Sequence, residues 1–350
     1  RFRFSGDWGR HNIGGRGIEG AISGRLSLDS KGRFLLARGE GSLLEPWLFG
    51  WRIRGLMTPY YEKGVDRTDT SWVRRYDAPG VRFEFRRDLA IRSRVYLIED
   101  NTFVTQHFDS ILPGPLPAIP TVTSYATYRL LLGYEGDTRD TPVYPVVGSV
   151  LSVAGQVAGG PLTSGNYFYT KSQITESRYR PVGSRGWVLG WRLGGGLIRP
   201  FGAVAGFTPG TVDAEVNRVP NLDRFRIGGV NSVRGYSEND ITPDGGLVML
   251  LGNAEVRMPL IGPFALEAYV DGGNVWARPG DIKLENLLPK MTPTPRTPSD
   301  VRYVFGIGPR LNLPFGPLRV DFTWNVQPDL GTAGSRWFHG EPQFAIGPSF

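Results

Sequence analysis

Hydrophobic and polar residues alternate with a period of two along most of this chain, and that period predicts β-strands. In LRVDFTWNV (318–326), Leu318, Val320, Phe322, Trp324 and Val326 share one face, while Arg319, Asp321, Thr323 and Asn325 share the other. Val81, Phe83 and Phe85 likewise oppose Arg82, Glu84 and Arg86, and after a turn Ile91, Val95 and Leu97 oppose Arg92, Arg94 and Tyr96. WVLGWRL sets Trp187, Leu189, Trp191 and Leu193 against Arg192. Successive side chains of a strand point to opposite sides of its sheet, so each segment has one apolar and one charged face. No helix-period segment of useful length interrupts this pattern, and no linker divides the chain, which reads as one domain over residues 1–350.

The pattern predicts an all-β chain of about fifteen strands, near 2–9, 17–29, 33–44, 50–62, 80–87, 90–101, 122–137, 148–159, 165–180, 186–199, 246–258, 264–276, 301–313, 317–327 and 337–350. The connections alternate in length. Short turns fall at NIGGRG (12–17), EPWLFG (45–50), RRDLA (86–90), PVGSRG (181–186), PLIGP (259–263) and LPFGP (313–317). Longer ones fall at 62–72, 108–120, roughly 200–245 and 278–300. DSKG (29–32) and DTRDTPVYPVVG (137–148) depart from that rhythm.

A water-soluble sandwich buries its apolar stripe, whereas a membrane barrel turns the same stripe to lipid and lines its lumen with the charged face. The aromatics near strand ends and the short–long rhythm of connections favour the barrel. The composition is compatible with it: 40% hydrophobic residues and a mean hydropathy of -0.22, with no apolar run of about 18 residues that would form a transmembrane helix. Single-chain bacterial barrels have an even number of strands with both ends on the periplasmic side. Here the last strand ends on the short-turn side and the chain begins on the long-loop side. The expected fold is a transmembrane antiparallel β-barrel of about sixteen strands, one of them preceding Arg1. The start at Arg1-Phe2-Arg3-Phe4, without methionine or signal peptide, points to a processed or partial chain.

Chemistry is sparse. With no cysteine, disulfides and thiolate catalysis are excluded. The three histidines, His11, His107 and His339, are too scattered for a metal site, and no cofactor is expected. The net charge of +7 is spread among alternating arginines and does not form a run suited to nucleic acid. GRGIEG lacks the Lys-Ser/Thr of a phosphate loop. No serine occupies a nucleophile elbow, and Asp137 and Asp140 read as an Asx-rich turn, so no enzymatic activity is expected. The unusual stretch is DRFRIGGVNSVRGYSEND (223–240), where Gly228, Gly229 and Gly235 permit positive φ around Val233, Arg234 and Tyr236. A solvated loop arginine is the plain reading of Arg234, but Val233 and Tyr236 are poor choices for a solvated tip. Acidic residues on polar strand faces are Asp271, sharing a face with Glu267 and Tyr269, then Asp321, and Glu255 beside Asn253 and Arg257.

RFRIGGVNSVRGY, taken with YVDGGNVW, resembles the BamA/TamA superfamily of outer-membrane assembly barrels. NIGGRG, EPWLFG, DTRDTPVYPVVGS, GPLRVDF and the terminal FAIGPSF resemble further family segments in the same order, so the likeness covers essentially the whole chain. It implies that the loop folds back into the lumen and that Arg234 meets a lumenal acid, Asp271 first, with Asp321 and Glu255 next. The family's POTRA domains are absent from this chain.

The resemblance also implies a function without covalent chemistry: insertion of client barrels into the outer membrane through a seam between first and last strands. The expected partners are nascent outer-membrane proteins, assembly lipoproteins, periplasmic chaperones and outer-membrane lipid, with no nucleic acid. A TamA-like translocation factor and a passive channel or secretion pore are the alternatives. In FAIGPSF, Phe344, Ile346, Pro348 and Phe350 are expected on one lipid-facing side, and Gly347 and Pro348 are expected to weaken the strand. The alternative for Pro348 is that it simply ends the strand at the rim.

Overall fold

The structure is a computed structural model and describes residues 2–29, 31–66, 72–110, 124–159, 166–202, 212–289, 297–313, 316–326, 342–347 and 350. The strands are β1 (Phe2–Ile13), β2 (Ile18–Leu28), β3 (Phe34–Glu45), β4 (Arg54–Asp66), β5 (Trp72–Ala90), β6 (Ser93–Ser110), β7 (Ser124–Asp137) and β8 (Gly148–Ala158). They continue as β9 (Tyr169–Val182), β10 (Trp187–Pro200), β11 (Val248–Pro259), β12 (Phe264–Trp276), β13 (Arg302–Leu313), β14 (Gly316–Asn325) and β15 (Gln343–Ile346). All fifteen lie in one sheet in chain order, and the registers from β1 to β6 and from β10 to β15 are antiparallel. Two short helices, α1 (Val212–Asn217) and α2 (Leu284–Leu287), lie in connections, and among the described residues no helix is long and apolar enough to cross a membrane.

The chain forms two compact units: residues 1–134, 155–170 and 200–208 make one, and 135–154, 171–199 and 209–350 the other. In the first unit, the charged face of β4 to β6 converges on Asp100. It accepts hydrogen bonds from Tyr60 Oη (2.8 Å), Arg82 Nε (2.8 Å) and Arg129 Nη2 (2.8 Å). In the second unit, Arg319, Asp321 and Thr323 of β14 are buried, as are Glu255 and Arg257 of β11 and Glu267 and Asp271 of β12. The opposite face of the sheet leaves Val270 of β12 51%, and Phe305 and Ile307 of β13 43% and 39% exposed. Polarity is thus inverted relative to a water-soluble sheet, with charge inside and hydrocarbon outside. Phe305 and Trp324 stack on that outer face, their ring centroids 5.8 Å apart.

The strand count and most spans match the expectation. The exceptions are β4, β5 and β6, which run further than predicted and take up part of the connections expected at 62–72 and 108–120. The amphipathic contrast vanishes there because the outer face becomes polar. On that face Tyr61 hydroxyl donates to Asp77, Lys63 Nζ lies 3.7 Å from Asp77, and Arg75 Nε lies 3.0 Å from Asp109. Cross-strand pairing still satisfies the backbone. The last strand also differs: it is described only over Gln343–Ile346, against an expected 337–350.

Candidate functional site

The connection between β10 and β11 is long, and its distal part is tied by its own backbone. Phe225 and Gly246 exchange two N–H···O bonds of 3.0 Å, and Ile241 N–H donates to Ile227 O at 3.3 Å. Inside this pinch Gly229 N–H reaches Val233 O at 3.2 Å, and Ser232 Oγ accepts from Gly228 N–H at 2.8 Å. Gly235 has φ +85°, and a Cβ there would stand 2.7 Å from Thr323 Cγ2. Any side chain would therefore be strained and would also push the loop off β14. Val233 and Ile227 are buried, and Gly273 of β12 leaves room for both.

This turn delivers Arg234 onto β12. Its Nε and Nη2 each donate to Asp271, to Oδ2 and Oδ1 respectively, at 2.7 Å, and its backbone N–H reaches Oδ2 at 3.1 Å. Such a two-pronged guanidinium–carboxylate pair fixes orientation as well as charge. Nη1 donates to Glu267 Oε1 at 2.7 Å and lies 3.5 Å from Glu255 Oε2. The guanidinium carbon lies 3.5 Å from the centroid of the Tyr269 ring, a desolvated cation–π contact. The strand period places Glu267, Tyr269 and Asp271 on one side of β12, so one strand supplies the ring and two of the acids.

The network continues beyond Arg234. Arg310 Nη2 bridges Glu267 Oε1 (2.7 Å) and Asp321 Oδ1 (2.6 Å), and Arg257 Nε donates to Glu255 Oε1 at 2.8 Å. Three guanidinium groups thus face four carboxylates, all with side-chain exposures of 0–3%. Arg257 also donates to Pro145 O at 3.2 Å and lies 5.1 Å from the Tyr144 ring, so the turn between β7 and β8 closes one end of the cluster. At the other end Arg192 Nη2 donates to Asn231 O (2.8 Å) and Arg319 Nη2 to Asn231 Oδ1 (2.7 Å), clamping the loop without a carboxylate.

The structure places the expected residues as follows. Asp271, Glu267 and Glu255 surround Arg234. Asp321 lies on the same buried face, but its partner is Arg310 and not Arg234, because the turn reaches β12 first and Arg310 of β13 fills the space before β14. Val233 and Tyr236 are buried beside Arg234, and Gly228, Gly229 and Gly235 all take positive φ. Phe344 and Ile346 are exposed at 64% and 62% on one side of β15. Phe350 corrects the expectation of a shared face. It stacks on Tyr179 at 6.0 Å, its carbonyl accepts from the Tyr179 hydroxyl at 2.6 Å, and Arg192 lies 5.0 Å from its ring. Gly347, at φ +106°, breaks the two-residue period between Ile346 and the terminal residue. Pro348 lies outside the described residues.

Arg310 and Gln343 escaped the sequence reading. Gly306, Gly308 and Pro309 blur the alternation around Arg310, and Gln343 carries no charge to flag it. Away from the membrane-spanning strands, the turn containing Asp137 and Asp140 is organised by the aspartates themselves. Asp140 Oδ1 accepts from Val146 N–H at 3.0 Å and Val147 N–H at 3.3 Å. Burial alone would raise the Asp140 pKa, but these N–H donors hold it below its ordinary value.

Comparison with known proteins is consistent with this geometry. The model of the Omp85 superfamily domain matches residues 66–350. The outer membrane protein assembly factor BamA of Nitratidesulfovibrio vulgaris is 26% identical over 228 residues, 62% of this chain and 25% of that protein. Outer envelope protein 80 of Arabidopsis thaliana, a chloroplastic protein, is 31% identical over 105 residues, 30% of this chain and 13% of its own length. The chain therefore spans a quarter or less of these two curated relatives. Among solved structures, BamA from Haemophilus ducreyi lacking POTRA domains 1–3 superposes with a TM-score of 0.72 at 16% identity, covering 99% of this chain and 66% of that one. CdiB from Acinetobacter baumannii gives a TM-score of 0.56 at 15% identity, covering 92% and 53%. At these identities the structural likeness speaks for the fold.

Proposed function

The chain belongs to the Omp85 superfamily, and on that premise we propose that it is a BamA-type insertase barrel that folds client β-barrels into the outer membrane. Membership makes it an outer-membrane β-barrel protein with a role in protein insertion or secretion. The insertase reading within that class rests on the terminal strand. In the described sheet β15 stands at the end of the strand order, next to β14, with Leu318 opposite Ile346 and Asp321 opposite Gln343. It leaves extended geometry at Gly347, at φ +106°, whose N–H donates to Pro317 O at 2.8 Å. An edge strand that leaves extended geometry in this way can offer its backbone to an incoming strand by β-augmentation.

Nascent outer-membrane proteins are the proposed substrates, with assembly lipoproteins and periplasmic chaperones as partners and lipid against the apolar face. The work is non-covalent: strand exchange needs no nucleophile or proton shuttle. The test is a disulfide engineered between the last strand and the first strand of the full-length protein. Client insertion should fall when the disulfide forms and return on reduction. Unchanged insertion by the locked protein overturns the reading, and a stably open conductance would place the protein among passive pores.

A further inference from the structure

The loop that carries Arg234 also touches the terminal strand, and one side chain makes the contact. Gln343, the first residue of β15, accepts a hydrogen bond from Gly235 N–H through Oε1 at 2.8 Å and donates one to Tyr236 O through Nε2 at 2.8 Å. Its carboxamide thus reproduces the donor–acceptor pair of a neighbouring strand and reads the loop backbone at the two residues following Arg234. Gln343 is also the cross-strand partner of Asp321, which is bound to Arg310, which shares Glu267 with Arg234. The contacts therefore form a ring: Arg234 to Glu267, to Arg310, to Asp321, across the ladder to Gln343, and back through the loop backbone to Arg234.

We propose that Gln343 is a latch through which the docked Arg234 loop holds the terminal strand, so that undocking the loop loosens β15 and loosening β15 frees the loop. The proposal rests on the seam reading for its functional consequence, but its physical content concerns only this contact. A carboxamide suits the role. It is neutral, so it pairs with a peptide without adding charge beside Asp321, and it needs both its donor and its acceptor at once. A glutamate would lose the donor and face Asp321, and a leucine or methionine would leave Gly235 N–H and Tyr236 O without these partners. Gln343 stands opposite Asp321 in the described β15 ladder, so the tie acts on a residue that is itself paired to β14. Arg234 alone cannot explain the coupling, because its own bonds go to β11 and β12.

The test is hydrogen exchange on the full-length protein in lipid nanodiscs, with Gln343→Met as the main variant and Gln343→Asn as the milder one. Losing two bonds of ordinary strength should raise local opening by about tenfold. The rise should appear in both 342–347 and 232–237, while β11, β12 and β13 keep their protection. Arg234→Lys should also raise exchange in 342–347, and that effect should shrink in the Gln343→Met background, since a broken latch transmits nothing. If exchange at 342–347 is unchanged in either glutamine variant, or if it rises equally in every strand, the latch is refuted. Client insertion by the seam-locked protein is scored separately. Raised exchange with insertion unaffected by the lock keeps the latch and sinks the seam reading, while unchanged exchange with insertion blocked by the lock does the reverse.

Discussion

The two compact units follow one strand grammar but treat charge differently. In the first unit Arg82 and Asp100 pair at 2.7 Å with side-chain exposures of 39% and 9%, and Arg54 and Asp88 pair at 2.6 Å with both well exposed. In the second, the arginines and acids around Arg234 pair at similar distances with almost no exposure. Alternation puts charge on one face in both. Among the described residues, a connection of the second unit, residues 225–246, folds onto that face and excludes solvent from it. Burial of these charges therefore depends on this loop, and at the Arg257 end on the turn between β7 and β8. It raises the energetic stakes, because an ion pair in water contributes little while a buried charge stripped of its partner is expensive.

The largest effect should follow from Arg234→Ala. Removing one partner of a buried ion network costs about 3–5 kcal/mol, here borne by loop docking, since Asp271 would lose its guanidinium partner while Glu267 and Glu255 keep Arg310 and Arg257. Exchange protection should collapse at 227–241 and client assembly should fail, while the ladders of β11 to β14 persist; normal assembly by this variant would break the comparison. Next comes the outer face. Phe305→Arg should cost about 2–4 kcal/mol if that residue lies near the bilayer midplane, measured as a drop in the urea midpoint of the lipid-embedded barrel. A neutral outcome would mean that Phe305 does not face hydrocarbon.

Arg82→Ala in the first unit should cost at most about 1 kcal/mol, because the pair is part-exposed and screened and Asp100 keeps Arg129. Added salt should shrink even that difference, and a cost matching Arg234→Ala would erase the distinction between the units. The smallest effect concerns the turn around Asp140. Its folded-state pKa is depressed, so its contribution is fully present above the unfolded value of about 3.9 and is lost as pH falls through the lower folded value. Asp140→Asn should therefore flatten the acid limb of stability slightly while leaving the neutral range alone. An unchanged acid limb would show that the Val146 and Val147 bonds contribute nothing measurable.

Much of the fold was legible because strand period and turn composition are local properties. Phe322 and Asp321 oppose each other in sequence for the same reason they do in space. The strand ends of β4 to β6 were not legible, because Tyr61, Lys63, Asp77 and Arg75 make both faces polar and remove the contrast on which periodicity depends. Of the site, the residue types were visible and the pairing was not. Asp321 and Asp271 sit on equivalent polar faces, yet Arg234 takes Asp271 while Arg310 takes Asp321.

By itself, then, the sequence determined an all-β chain of about fifteen strands, the face that residues in its regularly alternating strands occupy, and a glycine-flanked arginine needing an acidic partner. Those follow from the two-residue pleat and from the backbone freedom of glycine. Only the tertiary structure decided that the charged face of the second unit is dry, which acid each guanidinium takes, that Phe350 turns back onto Tyr179, and that Gln343 ties the loop to the last strand. Each depends on different strands and loops meeting at bond length, whether 11 residues apart, as Arg310 and Asp321 are, or 108, as Gly235 and Gln343 are. Hydrogen bonds and ion pairs are selective over fractions of an ångström, a scale that no local pattern encodes.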